Sequence, residues 1–265
     1  MILSRQLRRS SCVVRRGTHH EGNKYETLES RRCCSYDRTH HRLQRRQWQQ
    51  LMPTNYDFVT PTANAQKNYQ ETIVDNLGNT IVETYSQTVT TGNSDGSYAV
   101  LEEDTTGNAI IEDGTTYTIP TETINVNNNG QETTYSYVNT SGATVDCTYA
   151  PHGPGPDFPL TVDQTWTLQY TLTCGSAAAV SHTQTGTIVD VESVTVPAGT
   201  CNALKLQTTD TSTNANGTTI TQTSTNWRDV ATGFSVQRNN TRAYSGTLPT
   251  TGYPVSVTLV LENTN

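Results

Sequence analysis

The chain has 265 residues, of which 15% are charged, and a formal net charge of −7 at pH 7. The charge is unevenly distributed: residues 1–50 carry 12 basic and 4 acidic side chains, whereas residues 51–265 carry 5 basic and 20 acidic ones. The two segments are therefore different kinds of polypeptide. We expect no transmembrane span, since no apolar run approaches the roughly 20 residues that a membrane helix needs.

Residues 1–52 are predicted to be a disordered arm rich in Arg and His. The arm contains four arginine pairs but no apolar run longer than Cys12-Val13-Val14, so it cannot build a core. It also lacks the apolar stretch of about 7–15 residues that a secretory signal peptide requires. One interpretation is that the start at Met1, or the reading frame ahead of it, is misassigned and that the arm is not native protein.

Two functions can be considered for this arm. Its arginine pairs could bind nucleic acid or an anionic membrane, but no folded module positions them. Cys33-Cys34 and His40-His41 could ligate zinc, but structural zinc sites use spaced ligands such as C-x2-C, and adjacent cysteines chelate poorly. We therefore predict neither a nucleic-acid partner nor a metal site.

From Pro53 onward the composition indicates an all-β protein. Residues 53–265 contain 47 threonines and many Val and Tyr, which favour strands, and many Asn and Gly, which favour turns. No sustained i, i+3, i+4, i+7 apolar stripe predicts a helix. A meander of hairpins is predicted at 53–150, with strands at 68–75, 80–91, 97–104, 115–126, 132–138 and 143–150.

The Pro-Gly-rich loop at 151–156 separates this meander from an antiparallel C-terminal half at 151–265, which we expect to be continuous with it. Apolar residues from Trp166 to Cys174 alternate with polar ones, which predicts a strand with one buried face. Residues 181–196 are expected to return beside this strand. Further strands are predicted at 218–227, 234–238 and 253–261.

Residues 194–207 show the clearest hairpin pattern of the chain. Pro197 ends the first strand by removing a backbone donor, and a glycine two residues later provides the freedom that a turn needs. The inward-facing valines change parity between Val191 and Val194. This change predicts a β-bulge near Glu192-Ser193.

Three motifs follow one another in the C-terminal half: W-x-x-x-Y at 166–170, V-x-V-P-A-G-T-x-x-A-L-K-L at 194–206, and Trp227 with Gly233 and Val236 downstream. Their order resembles that of mostly uncharacterised, β-rich exported proteins and lipoproteins of Gram-negative bacteria, although Cys201 stands where that class often has an aromatic residue. The resemblance implies a curved antiparallel sheet or half-open barrel in the periplasm, on the outer-membrane surface or secreted. It also implies a concave face of the kind that holds lipid or other apolar ligands.

Three cysteines lie beyond the arm: Cys147, Cys174 and Cys201. In an oxidising compartment two of them could pair and leave one thiol free. We favour a disulfide between Cys147 and Cys174, because their strands flank the Pro-Gly-rich loop and should be neighbours, although simple hairpin register does not place them opposite each other. The alternative, three small buried residues, stays open.

We predict that the protein is not an enzyme and that it has no catalytic residue. No H-E-x-x-H motif, P-loop or dinucleotide fingerprint occurs, and nothing in the residues implies a cofactor. His152 is interpreted as a solvated loop residue, and no spacing ties His182 to a cysteine. The paired carboxylates are interpreted as a solvated face of an acidic protein; they are Glu102, Glu103, Asp104, Asp190 and Glu192.

The sequence therefore leaves two functions. The first is an exported envelope protein that binds a lipid-like or other apolar molecule, or an envelope component, on a concave face lined by Trp166, Tyr170 and Trp227. The second is a structural or adhesive surface module that binds a protein or glycan partner through strand edges. An apolar pocket favours the first function, and a filled core with exposed edges favours the second.

Overall fold

The computed structural model describes residues 55–105, 109–112, 115–118, 121–139, 141–249 and 252–264. The arm predicted at residues 1–52 lies outside the described residues. All regular secondary structure in the described ranges is β, which confirms the predicted all-β class. In those ranges, no helix is long and apolar enough to cross a membrane.

The described strands follow one another with short connections, except where residues 151–164 join the eighth strand to the ninth. They are β1 (Gln66–Asp75), β2 (Thr80–Gly92), β3 (Tyr98–Asp104), β4 (Ala109–Glu112), β5 (Thr115–Thr118), β6 (Glu122–Val126), β7 (Glu132–Val138), β8 (Thr144–Ala150), β9 (Thr165–Cys174), β10 (Val180–Val196), β11 (Gly199–Thr213), β12 (Thr218–Asp229), β13 (Ser235–Gly246) and β14 (Pro254–Thr264).

Twelve of these strands form a closed antiparallel barrel in the order β1-β14-β13-β12-β11-β10-β9-β8-β7-β6-β3-β2. The sheet closes completely, because β1 pairs with β14 along its length, for example Ile73 with Val257. The pairing of β8 with β9 joins segments 53–150 and 151–265 in this one barrel. The predicted strand 115–126 is divided, since β5 pairs with β4 in a separate two-stranded sheet and β6 joins the barrel.

The hairpin predicted at 194–207 is the tip of the β10–β11 pair, where Val196 pairs with Gly199 around a two-residue turn. Its β-bulge lies between Ile188 and Asp190 and not near Glu192-Ser193. The parity change has another cause, because both faces of the hairpin tip are buried. Val191 packs in one apolar cluster, whereas Val194 packs in another.

Two apolar clusters stabilise the barrel. The first consists of Tyr69, Tyr85, Val194, Val196, Ala203, Val236, Leu259 and Leu261. The second consists of Leu160, Ile188, Leu204 and Leu206, with partly buried Tyr56, Phe158, Trp166, Val191 and Val230 around them. Leu160 is fully buried and bridges to Tyr56, so the connection between β8 and β9 and the segment before β1 both contribute to the second cluster.

Successive side chains of a strand point to opposite faces of the sheet, so each barrel strand has an inner and an outer set of residues. Buried residues mark the inner set; Tyr69 and Ile73 belong to it on β1, and Tyr85 and Val89 on β2. On β9 to β12 the outer set consists mainly of threonines that lie side by side on adjacent strands. Cross-strand threonine pairs of this kind stabilise a solvated sheet face.

Candidate functional site

Acidic side chains are concentrated on the inner set of four adjacent strands. Glu71 of β1 and Glu83 of β2 are direct cross-strand partners, and so are Glu102 of β3 and Glu122 of β6. Asp104 lies two residues beyond Glu102 and therefore on the same face. We call these five residues the acidic wall. Like charges placed directly opposite each other destabilise a sheet, so their clustering requires compensation.

Glu83 is the most enclosed member of the acidic wall. Its side chain is 0% exposed, and neither carboxyl oxygen has a hydrogen-bond partner among the described residues. Burial, followed by the negative charges of Glu71 and Asp104, raises the pKa of Glu83 to about 8. Glu83 is therefore mostly protonated and neutral at pH 7.

Two other inner glutamates are shifted in the same direction. Burial raises the pKa of Glu102 to about 7, although a hydrogen bond from Gln87 and the charge of Arg238 oppose the shift. Burial also raises the pKa of Glu132, against the charges of Arg238 and Arg228. The register places Arg238, Glu102 and Glu132 on the inner face, so the charge of Arg238 on β13 acts on carboxyl groups of β3 and β7 within the barrel.

All three arginines of residues 53–265 belong to the inner set, and each has a defined partner. Arg238 Nη2 lies 3.4 Å from Glu71 Oε1. Arg228 Nε donates to the carbonyl oxygen of Gly233 at 3.1 Å. Arg242 Nε donates to Gln222 Oε1 at 2.8 Å. Arg238 thus forms an ion pair with a member of the acidic wall.

A second polar group lies on β9 to β11. Asp210 accepts hydrogen bonds from the Tyr170 hydroxyl, at 2.6 Å, and from His182 Nδ1, at 2.9 Å, when that nitrogen carries the proton. The Tyr170 and His182 rings stack with a centroid separation of 4.5 Å. Burial, followed by the hydrogen bond to Asp210, raises the pKa of Tyr170. Asp210 thus holds both rings in place through hydrogen bonds.

This group resembles a Ser-His-Asp arrangement, because Ser212 is the direct cross-strand partner of His182. Among the described residues, however, no hydrogen bond joins the Ser212 hydroxyl to His182. A serine nucleophile needs that bond to be activated. A G-x-S-x-G pattern does occur at 92–96, but its Ser94 is exposed in the tight turn between β2 and β3, not on a strand-to-helix turn.

The three aromatic residues predicted to line one ligand site do not share a pocket. Trp166 Nε1 donates to Gln184 Oε1 at 3.2 Å, and its ring covers Gly186 within the second apolar cluster. Tyr170 lies on the same face of β9, bound to Asp210. Trp227 packs against the first apolar cluster, where its Nε1 donates to Glu192 and Lys205 lies over its ring.

The structure joins Cys147 and Cys174 in a disulfide and leaves Cys201 as a free cysteine. Contrary to the expectation from hairpin register, Cys147 and Cys174 are direct cross-strand partners, with 4.0 Å between their Cα atoms. The reason is that residues 151–164 form a long connection packed into the second apolar cluster, so β9 runs past the end of β8 before the two strands pair.

The interpretation of the paired carboxylates as a solvated face is wrong for Glu102 and Asp104, which belong to the acidic wall. It holds for Glu103, which is exposed on the outer face of the same strand. A signal was present, because Glu71, Glu83 and Glu102 alternate in step with buried apolar residues of their strands. His152 is half-buried beside Asp157, with 3.7 Å between Nε2 and a carboxyl oxygen.

The outer face carries a groove of about 560 Å³ across β9, β10 and β11. Its walls are polar, uncharged side chains of the outer set, and Trp166, Gly186 and Thr208 contribute to its floor. We call it the threonine groove; its outer-set residues are Thr165, Thr167, Thr185, Thr187, Gln207 and Thr209. Such a surface offers hydroxyl and amide groups for hydrogen bonds but no charge.

No protein-family model and no curated protein matches the sequence. Similar solved structures include a predicted lipoprotein from Parabacteroides distasonis, with 14% identity and a TM-score of 0.42 over 81% of this chain and 100% of that one. A predicted exported protein with a YmcC-like fold from Bacteroides fragilis has 12% identity and a TM-score of 0.46, over 79% and 99%. The hypothetical lipoprotein YmcC from Escherichia coli has 12% identity and a TM-score of 0.35, over 78% and 90%. At these identities the similarities assign no family, ligand or activity to this chain.

Proposed function

We propose that the protein functions outside the cytoplasm as a non-enzymatic binding protein that holds a small polar ligand inside its barrel. The observation that carries this proposal is Glu83, whose enclosed carboxyl group has no hydrogen-bond partner among the described residues. A buried polar group without a partner is costly, and native proteins satisfy nearly all of them. A bound molecule that supplies donors to the acidic wall removes this cost.

The extracytoplasmic location is supported by the disulfide between Cys147 and Cys174. Disulfides persist in oxidising compartments and are rare in the cytoplasm. The resemblance of the sequence motifs to exported proteins and lipoproteins points in the same direction. We therefore propose the periplasm, the outer-membrane surface or secretion as its location.

A polar ligand fits the inner face better than the lipid-like ligand expected from the sequence. Trp166 and Trp227 belong to two different apolar clusters and are engaged in them. The accessible inner positions around the acidic wall are charged: 37% of the Arg238 side chain and 14% of the Glu71 side chain are exposed. Placing an apolar molecule against these groups would desolvate them without compensation.

The non-enzymatic part of the proposal is supported by the state of the Asp210 group. His182 and Tyr170 both hydrogen-bond to Asp210, and Ser212 is not activated by His182. Glu83 and Glu102 have raised pKa values, as catalytic acids often do. Structural charge networks shift pKa values in the same way, so these two shifts do not by themselves mark a catalytic acid.

Adhesion is a second candidate function, and the threonine groove favours it. Each strand of the barrel is paired on both sides, so a partner cannot add to an edge of the barrel sheet. A neutral glycan or a peptide could instead hydrogen-bond to the hydroxyl groups of the groove. Binding to a glycan array that is lost in Thr185→Arg and retained in Glu83→Gln would establish this function.

The proposed function is tested by a native mass spectrum of the full chain, isolated without detergent from the envelope fraction of the cells that produce it. We expect extra mass that is released at acidic pH and is insensitive to extraction with organic solvent. Mass that leaves with organic solvent would establish the lipid-like ligand instead. A bare polypeptide mass from cells grown under several conditions would overturn ligand binding in the barrel.

A further inference from the structure

We infer that the ligand of the acidic wall is a linear organic polycation that carries at least two ammonium groups. The inference rests on the proposed function and adds the chemical class of the ligand. Two observations carry it: the five acidic side chains of one inner wall, and the enclosed, unpartnered carboxyl group of Glu83 among them.

Among the described residues, acidic side chains outnumber basic ones on the inner face of the barrel. The acidic members are the acidic wall, Glu132 and Asp210. The three inner arginines oppose them, and Lys67, whose Nζ lies 5.6 Å from the centre of the Phe234 ring, is the fourth basic group at inner parity. Arg238 pairs with Glu71, but neither oxygen of Glu83 has a partner among the described residues. An ammonium group of a ligand would donate to the Glu83 carboxyl group and favour its ionised form.

The arrangement favours an organic cation over a metal ion. Metal ions need several oxygen ligands at about 2.0–2.6 Å. Among the described residues, no group of three or more His, Cys, Asp or Glu side chains is close enough to hold one. Ammonium groups require only one or two carboxyl groups each, so separated acidic residues suit a ligand with separated charges.

The register gives the spacing of those charges. Tyr85 pairs with Asp104 and Gln87 pairs with Glu102, so Glu102 lies four residues further along the strand direction than Glu83. At 3.4 Å per residue this offset is roughly 14 Å, and Asp104 lies between the two. The carboxyl groups of the acidic wall thus form a diagonal row. Their spacing suits an extended polyamine, in which methylene segments separate an ammonium group at each end from others in the middle.

Binding should be coupled to proton release. Glu83 is mostly neutral at pH 7, because burial and its neighbours raise its pKa to about 8, and a nearby ammonium favours its ionised form. The titratable and charged groups that face it are Tyr69 and Glu71 on β1, Tyr85 on β2, Glu102 and Asp104 on β3, and Arg238 on β13. Affinity should therefore increase as the pH rises towards 8.

The test is isothermal titration calorimetry of the full chain with spermine, putrescine and calcium chloride at pH 7. Titrations in two buffers of different ionisation enthalpy give the number of protons released. We expect spermine to bind roughly tenfold more tightly than putrescine, with proton release and without competition from calcium. Binding of calcium in place of spermine would overturn the inference.

Three variants locate the binding. Glu83→Gln keeps the shape of the neutral side chain and removes its ability to ionise. Asp104→Asn removes a neighbouring carboxyl group and serves as the test if Glu83→Gln does not fold. The control is Glu103→Gln, because Glu103 lies on the same strand but is exposed on the outer face. We expect a roughly tenfold loss of spermine affinity in the first two variants, loss of proton release in Glu83→Gln, and neither change in the control.

Equal losses in all three variants would show general attraction to an acidic surface and overturn the inference. If spermine does not bind although the native mass spectrum shows a polar ligand released by acid, the inference fails and the proposed function stands. If the spectrum shows no ligand and spermine does not bind, both fail.

Discussion

The outer face of β9 to β12 and the acidic wall are both polar surfaces of one sheet, but their side chains are in different physical states. On the outer face, hydroxyl groups lie beside one another and beside water, as in the pair Thr223–Thr241 at 2.6 Å. On the acidic wall, carboxyl groups are buried or half-buried, and four of them lie opposite another carboxyl group. Burial and repulsion raise the pKa of Glu83 and Glu102 to about 8 and 7, respectively.

The contrast shows that polarity alone does not identify a site. Threonines on a solvated face cost nothing because water and neighbouring hydroxyl groups satisfy them. Carboxyl groups on the inner face reduce stability unless protons, arginines or a ligand compensate them. Variants of residues on each face, compared by their stability, test this difference directly.

The largest effect is expected for Glu83→Gln, measured by denaturant unfolding between pH 4 and pH 9. Folding raises the pKa of the Glu83 carboxyl group from 4.5 to about 8. The free energy of unfolding is therefore fully retained below pH 4.5 and decreases as the pH rises from there through about 8. Over this pH range, the free energy of unfolding of the wild-type protein should decrease by roughly 3–5 kcal/mol more than that of the variant. Parallel pH profiles for both proteins would show that Glu83 ionises normally in the folded state.

The next largest effect is expected when the disulfide is removed by the double change Cys147→Ser, Cys174→Ser. The two residues are 27 positions apart, and a loop of this size stabilises a fold by about 3–4 kcal/mol through the unfolded state. Thermal unfolding of this variant is compared with that of Cys201→Ser, which removes only the free thiol. Unfolding midpoints that agree between the two would contradict the structural role of the disulfide.

A smaller effect is expected for Gly186→Ala on the inner face. A Cβ atom at this position would overlap the Trp166 ring, so the ring must leave the second apolar cluster. Overpacking of this kind costs roughly 2–3 kcal/mol and should change the tryptophan fluorescence. The control is Gly92→Ala, where a Cβ atom meets nothing within 4 Å. Equal stability of the two variants would exclude close packing of Trp166 on Gly186.

The smallest effect on stability is expected for two neighbouring residues of β12. Ser224 Oγ donates to Asn240 Oδ1 at 2.6 Å, and Asn240 is buried, whereas Thr223 pairs with Thr241 on the solvated face. Ser224→Ala should cost about 1–2 kcal/mol, because it leaves a buried acceptor without its donor. Thr223→Val should change stability by less than about 0.5 kcal/mol. The reverse order in denaturant unfolding would invert the assignment of inner and outer faces.

Local patterns predicted the strands well. The strict alternation of β9 and β14 and the Pro-Gly turn after Val196 depend on residues close in sequence, and the structure forms all three. Closure of the barrel could not be predicted in this way, because the pairing of Tyr69 with Leu261 joins residues from opposite ends of the barrel segment. The bulge was wrongly predicted near Glu192-Ser193, because a hairpin with two buried faces shows the same change of parity as a slip in strand register.

The acidic wall was missed for a related reason. From the sequence, Glu102 and Asp104 are interpreted as solvated residues, since charged side chains are rarely buried without a partner, and the other members of the wall are not singled out. Only the barrel brings Glu71, Glu83 and Asp104 together from three strands. By contrast, the predicted pairing of Cys147 with Cys174 needed only that β8 and β9 be neighbours, and the loop that joins the two strands indicates this.

Closure of the barrel by β1 and β14 also constrains the order of events during synthesis. β2 follows β1 within a few residues, but the other edge of β1 receives its hydrogen-bond partner only when the eleven residues of β14 have been made. Until then, a growing chain exposes an unpaired strand edge, which is prone to association with other strands. The last step joins the most distant contacts and is expected to be slow. A chaperone that covers the edge of β1 would therefore be most useful until β14 is available for pairing.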